Sequence, residues 1–224
     1  MPMNRIIQGL NEFQTNYFTV NQELFRQLSQ GQTPEILFIT CSDSRIDPNL
    51  LTQTKPGELF IIRNLGNIIP PHGTTNNSEG AAIEYAVCAL DIKHIIICGH
   101  SDCGSMKGLL QLNDLTEEMP LVYAWLKHHA ESTRRLLKDN YKDYDGEKLL
   151  RIAIEENVLT QIENIETYPV IRSKSHSNKL SLHAWVYDIE LGIISAYNAQ
   201  ENKFVKLGYE AFPVPDPLSS LQPN

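Results

Sequence analysis

Glu35–Thr40 reads EILFIT and delivers Cys41, while His94–Cys98 reads HIIIC and runs straight into Gly99-His100. Both are short apolar runs of strand size. A third, Glu58–Ile62 (ELFII), ends at Arg63. Helical patterns separate and follow them. Asp47-Pro48 pairs an N-cap acid with proline at the first helical position, so a short helix is expected there. Ser78–Leu90 reads as a helix of small and apolar residues buried on more than one face. Leu109–Leu112, Leu121–Leu137 and Lys148–Ile165 read as further helices. Strands alternating with helices predict an α/β fold, a mostly parallel central sheet flanked by helices. In such sheets ligands gather at the carboxyl ends of strands. Cys41 and the segment Gly99–Cys103 both fall at that end.

Outward from this centre, residues 4–29 carry Ile6, Leu10, Phe13, Tyr17, Leu24 and Leu28 at three- and four-residue steps. That spacing predicts one amphipathic helix. Ser181–Tyr187 and Gly192–Tyr197 predict a hairpin around Glu190-Leu191-Gly192. Four prolines between Pro213 and Asn224 predict an extended tail. The chain therefore divides into an N-terminal helical arm (1–34), a catalytic domain (35–212) and a proline-rich tail (213–224).

The 224 residues suit one domain with a substantial core, and 27 acids against 19 bases give a formal charge of −8. That balance argues against nucleic acid or an anionic membrane as the main partner. No stretch approaches the roughly 18 apolar residues of a membrane span. Met1–Leu10 has no apolar core followed by a cleavage site, so a cytosolic chain is expected. Cys41, Cys88, Cys98 and Cys103 are too scattered for a disulfide framework. Cys88 and Cys98 are expected to be inert core thiols.

His100-Ser-Asp-Cys103 puts an imidazole and a thiolate three residues apart, a spacing from which a short turn presents both to one metal ion. Cys41 comes from another strand end. Two sulfurs and one nitrogen leave the fourth tetrahedral position open, the pattern of catalytic rather than structural zinc. A bare HxxC arises often by chance, and Cys41-Ser-Asp43-Ser-Arg45 alone reads better as a surface salt bridge beside a buried thiol.

Taken together, the motifs CSDSR (41–45), PGELF (56–60), RN (63–64), EGAAIEYAV (79–87) and GHSDCG (99–104) stand in an order and spacing that resembles the β-class carbonic anhydrases. The resemblance is most specific from Gln32 to Leu110 and continues to about Tyr197. It implies zinc held by Cys41, His100 and Cys103, and reversible hydration of carbon dioxide to bicarbonate by a hydroxide on that metal. Asp43 is implied as the acceptor that orients the hydroxide, or as a fourth ligand in a closed state. Arg45 is its bidentate anchor. Phe60, Leu65 and Tyr85 match the apolar wall of the plant-like branch, and Gln32 matches an amide that reaches the substrate across a subunit interface. Phe38 stands where the bicarbonate-inhibited branch resembles a tryptophan pattern, which points to the open branch.

The resemblance also implies a homodimer or dimer-based oligomer. GNIIPPHG (66–73), MKGLLQLN (106–113) and LSLHAWVYDIE (180–190) are similar to cyanobacterial carboxysomal members, implying a scaffold partner within a carboxysome. Asp102 reads as a solvated turn residue or a proton shuttle, His72 as a candidate proton relay, and Trp125 and Trp185 as core or interface anchors. Two other readings stay open: hydrolysis of carbon disulfide or carbonyl sulfide, and a zinc scaffold or bicarbonate sensor without turnover.

Overall fold

A computed structural model describes residues 2–74 and 77–208. Six strands form one sheet in the order β2-β1-β3-β4-β5-β6. They are β1 (Ile36–Cys41), β2 (Leu59–Asn64), β3 (His94–His100), β4 (Ser181–Asp188), β5 (Ile193–Asn198) and β6 (Lys203–Lys206). The first four are parallel, and β5 and β6 run antiparallel. After β2 the chain crosses back over β1 to lay down β3 on the other side. The switch in winding therefore falls between β1 and β3, the place where open α/β sheets bind ligands.

The apolar runs at β1 and β3 lack polar alternation because both faces are covered. Leu37, Ile39, Ile95 and Ile97 pack on one face with Ile83, Val87 and Val158. Phe38, Ile96 and Cys98 point to the other and meet Ile46. Thr40 Oγ1 donates to the Cys98 carbonyl at 2.8 Å, which ties the two strands together just before their ligand-bearing ends.

Helices α3 (Pro48–Thr52), α4 (Ser78–Cys88), α5 (Gly104–Leu110), α8 (Gly146–Glu166) and α9 (Pro169–His176) join or flank the strands. Asp47 caps α3 as expected, its carboxylate accepting from Leu50 N–H at 3.2 Å. The long helix α8 lies against β3 and β4. Its approach is close: a Cβ on Gly99 would stand 2.8 Å from Val158 Cγ2 and 3.2 Å from Ile154 Cγ2. Only glycine lets α8 reach the end of β3.

Several expectations are corrected. The arm is not one helix: α1 (Pro2–Glu12) passes into a π-helical turn at Phe13–Phe18, and α2 (Gln22–Leu28) follows Asn21. Here Phe13, Phe18 and Phe25 cluster, with Phe18 and Phe25 ring centroids 5.1 Å apart, so local aromatic packing overrides the regular helical step. The stretch 121–137 breaks at Ala130 into α6 (Pro120–His129) and α7 (Glu131–Asn140). Leu109–Leu112 spans the end of α5 and the start of a 3₁₀ turn at Leu112–Leu115. α4 buries only the face of Ile83, Ala86 and Val87, leaving Tyr85 and Cys88 exposed. Cys88 is therefore no core thiol, whereas Cys98 is fully buried and burial pushes its pKa up to about 12. β6 extends the hairpin to three strands. The proline-rich tail (213–224) lies outside the described residues.

Candidate metal centre

β1 and β3 are neighbours in register, and each ends in a ligand. The turn after β3 then returns Cys103 at the head of α5, with Asp102 in the left-handed region at φ +58°. Sγ of Cys41, a ring nitrogen of His100 and Sγ of Cys103 lie within 4.8 Å of one another, and all three residues are buried. Among the described residues this is the one cluster of three such groups with that geometry.

The chemistry of the donor set fits a metal ion. His100 Nδ1 faces the Ser101 carbonyl at 2.9 Å, so Nδ1 carries the proton and Nε2 keeps its lone pair. Nε2 is buried without a hydrogen-bond partner, a costly state that a metal would relieve. The Cys103 thiol donates to Cys41, which with the amide of Gly66 holds the Cys41 thiol well below the usual thiol range. The charge left on Cys41 pushes Cys103 upward, and burial adds to it. Two thiols sharing one proton release the first readily and resist losing the second until a cation takes its place. Two soft sulfurs, one imidazole and one open side suit zinc.

Asp43 stands beside this open side, its Oδ2 3.9 Å from His100 Nε2. Arg45 grips it bidentately: Nε donates to Oδ1 at 2.9 Å and one terminal nitrogen to Oδ2 at 2.8 Å. That fork holds the Asp43 carboxyl well below the ordinary carboxylate range. Arg63 donates to the Cys41 carbonyl at 3.1 Å and to the Asp43 carbonyl at 2.7 Å, clamping the backbone between ligand and acid.

Asp102 is exposed but not idle. It accepts from Arg45 at 3.1 Å and pairs with Lys107, so the guanidinium is shared between two carboxylates. An acid next to a candidate-ligand cysteine, five residues from a second basic partner, was no signal on its own; only the tight turn brings it to Arg45. A cavity of about 610 Å³ opens beyond Arg45 and Asp102, while the three ligands are absent from its walls.

The apolar residues come together in part. Phe60 and Tyr85 have ring centroids 6.0 Å apart, with Tyr85 and Leu65 exposed within a single chain. Trp125 anchors the Leu65 carbonyl through its indole N–H at 2.8 Å. Gln32 sits exposed between α2 and β1, and the hydrogen bonds around Asp43, Arg45 and the three ligands involve other residues. His72 packs on Tyr168 at 5.3 Å and its amide donates to Thr167, a structural tie.

Two cysteines and an imidazole at the switch point of a parallel sheet, with an arginine-held carboxylate beside them, have the donor set and layout of a candidate metal site in an α/β enzyme. The sequence model of the carbonic anhydrase family matches residues 36–194, and the chain belongs to that family. It is an enzyme of the β class, catalysing the reversible hydration of carbon dioxide. A carbonic anhydrase of Synechocystis is 58% identical over 203 residues, covering 91% of this chain and 74% of that protein. The solved structure of the β-carbonic anhydrase CcaA superposes with a TM-score of 0.90 at 57% identity, covering 92% of each chain. A tetrameric β-carbonic anhydrase of Sordaria macrospora matches at TM-score 0.77 and 30% identity, covering 88% of this chain and 98% of its own.

Proposed function

We propose that the chain binds one zinc ion through Cys41, His100 and Cys103, and that Asp43 and Arg45 act on the substrate side of that site as one unit. The observation that carries this reading is the buried, unpartnered His100 Nε2 within reach of two thiols that share a proton. When bound, zinc supplies Lewis-acid activation of water near neutral pH. Asp43 then accepts the hydrogen bond that orients the attacking water toward carbon dioxide. Arg45 keeps that carboxylate away from the metal's open position, where it would otherwise serve as a fourth ligand. Rigid pairing of a planar fork with a carboxylate suits this task better than a single ammonium.

Phe60, Leu65 and Tyr85 form the apolar side of the carbon dioxide pocket in this reading, and Gln32 completes it from a neighbouring subunit. Its support is the exposure of Leu65, Tyr85 and Gln32 in one chain, together with an arm whose apolar side chains find no cover there. The solved Sordaria enzymes are tetrameric, and a dimer-based assembly is proposed here. Phe38 and the resemblance to carboxysomal members support the constitutively open branch and a place beside a scaffold protein inside a carboxysome. Recovery of the native protein only outside purified carboxysomes would remove the second claim.

Metal analysis and stopped-flow carbon dioxide hydration on one sample test the core reading. One zinc per chain with rapid hydration is expected. Zinc without turnover would mark a scaffold or bicarbonate sensor, and faster turnover of carbon disulfide or carbonyl sulfide would mark a hydrolase.

A further inference from the structure

From the end of β2 the chain turns sharply through Leu65–Ile68, with Gly66 at φ +85° and Asn67 at φ +49°. A Cβ on Gly66 would stand 3.0 Å from the Ser105 side chain at the head of α5, so this turn is pressed against the segment that carries Cys103. The Gly66 N–H donates to Cys41 Sγ at 3.4 Å. Its carbonyl accepts from Asn157 Nδ2 at 3.0 Å, a contact spanning 91 residues of sequence.

Asn157 and Gln161 lie one turn apart on α8, and both side chains are buried. Gln161 Nε2 donates to Asn157 Oδ1 at 3.0 Å, which fixes which end of the Asn157 amide faces Gly66. Gln161 Oε1 in turn accepts from the Ile69 N–H at 2.8 Å and from Asn164 at 3.0 Å. Asn164 also donates to the Ile69 carbonyl at 2.9 Å. Neighbouring positions on α8, such as Ile154, Val158 and Ile165, are apolar and buried. Buried primary amides in such surroundings are tolerated only when fully paired, and here the pairing converges on one turn.

We propose that Asn157, oriented by Gln161, is a positioning residue for Cys41. It holds the Gly66 carbonyl and so fixes the backbone on both sides of that residue, keeping the Gly66 N–H pointed at the sulfur, where it draws charge from the thiolate. This rests on the reading of Cys41 as a metal ligand. A ligand's hydrogen-bonded surroundings set its basicity and hence the character of the metal it holds. Asn157 touches neither sulfur nor substrate; it acts through the backbone of one residue, Gly66, whose carbonyl and N–H lie on the two peptide groups either side of its Cα. The polar pair is four residues apart on an otherwise apolar helix face, a pattern visible in the sequence whose target was not.

Cobalt- and cadmium-loaded forms of the full chain test the proposal. Appearance of a thiolate-to-cobalt charge-transfer band reports Cys41 and Cys103 as ligands, independently of Asn157. Asn157→Asp keeps the side chain's shape but turns an oxygen toward the Gly66 carbonyl. The band is expected to move to longer wavelength, because a thiolate that loses its N–H partner is easier to oxidise. Asn164→Asp, which disturbs the same loop at Ile69, should leave the band in place. Equal shifts in both variants, or no shift in Asn157→Asp, would overturn the proposal. If Asn157→Asp does not fold, the unsubstituted cadmium form decides. Scalar coupling between the metal nucleus and the Gly66 amide proton is expected through the Cys41 sulfur, and its absence would overturn the proposal. A missing charge-transfer band would instead remove the metal centre itself.

Discussion

Two regions within the chain's first hundred residues treat apolar side chains in opposite ways. At the β1–β3 switch, Leu37, Phe38 and Ile39 are wholly covered, and Thr40 Oγ1 and the Gly66 N–H are paired with groups of the same chain. On α1, Ile6 and Leu10 keep 58% and 61% of their surface exposed, though their spacing is as regular as any in the molecule. The candidate metal centre thus draws its three donor groups from one chain. The arm is a pattern left uncovered among the described residues. An apolar stripe of this kind is unfavourable in water and marks an association surface.

The sharpest way to break the comparison is at the self-contained end. Cys103→Ser should remove most bound metal and with it hydration, as read by metal analysis and stopped flow on the same preparation. Full zinc occupancy would take Cys103 out of the site. Deleting residues 1–30 attacks the other end. Loss of the arm should dissociate or aggregate the protein and abolish activity, whereas a soluble, fully active monomer would show that the exposed stripe has no such role; light scattering with the hydration assay tells these apart.

A smaller loss is expected where only the gate is touched. Charge-assisted hydrogen bonds are worth about 1.5–3 kcal/mol, so Arg45→Ala should cut turnover by roughly 10- to 100-fold with zinc retained. Combined with Asp43→Ala, the loss should fall short of the sum, because both changes break one unit. Additive losses would separate the two residues. The mildest test links both regions. Gln32→Ala should slow hydration by roughly threefold to tenfold with unchanged zinc, the worth of a single neutral hydrogen bond. An unchanged rate would return Gln32 to the exposed loop in which a single chain shows it.

Much of the fold was legible because its signals are local. Apolar runs ending in Cys41 and His100, a capping acid before Pro48, and a CSDSR segment that pairs with itself all act over a few residues. What escaped has non-local causes. The break at Ala130 separates two helices whose apolar stripes look continuous on paper. α9 and β6 are short, and packing on neighbours rather than strong periodicity holds them. Cys88 was misjudged because α4 has apolar residues all round, and the side turned away from the sheet stays open in one chain.

By itself the sequence determined which sulfur and imidazole groups stand at strand ends as candidate ligands, because each follows directly on a short apolar run, and it determined the alternation that makes a parallel sheet. Only the tertiary structure decided that Asp102 shares Arg45 with Asp43, that Gly99 admits α8 to the end of β3, and that Asn157 reaches the peptide beside Cys41. Those contacts join residues tens of positions apart. A hydrogen bond depends on distances of a few tenths of an ångström, which no spacing along the chain specifies until the strands and helices have packed.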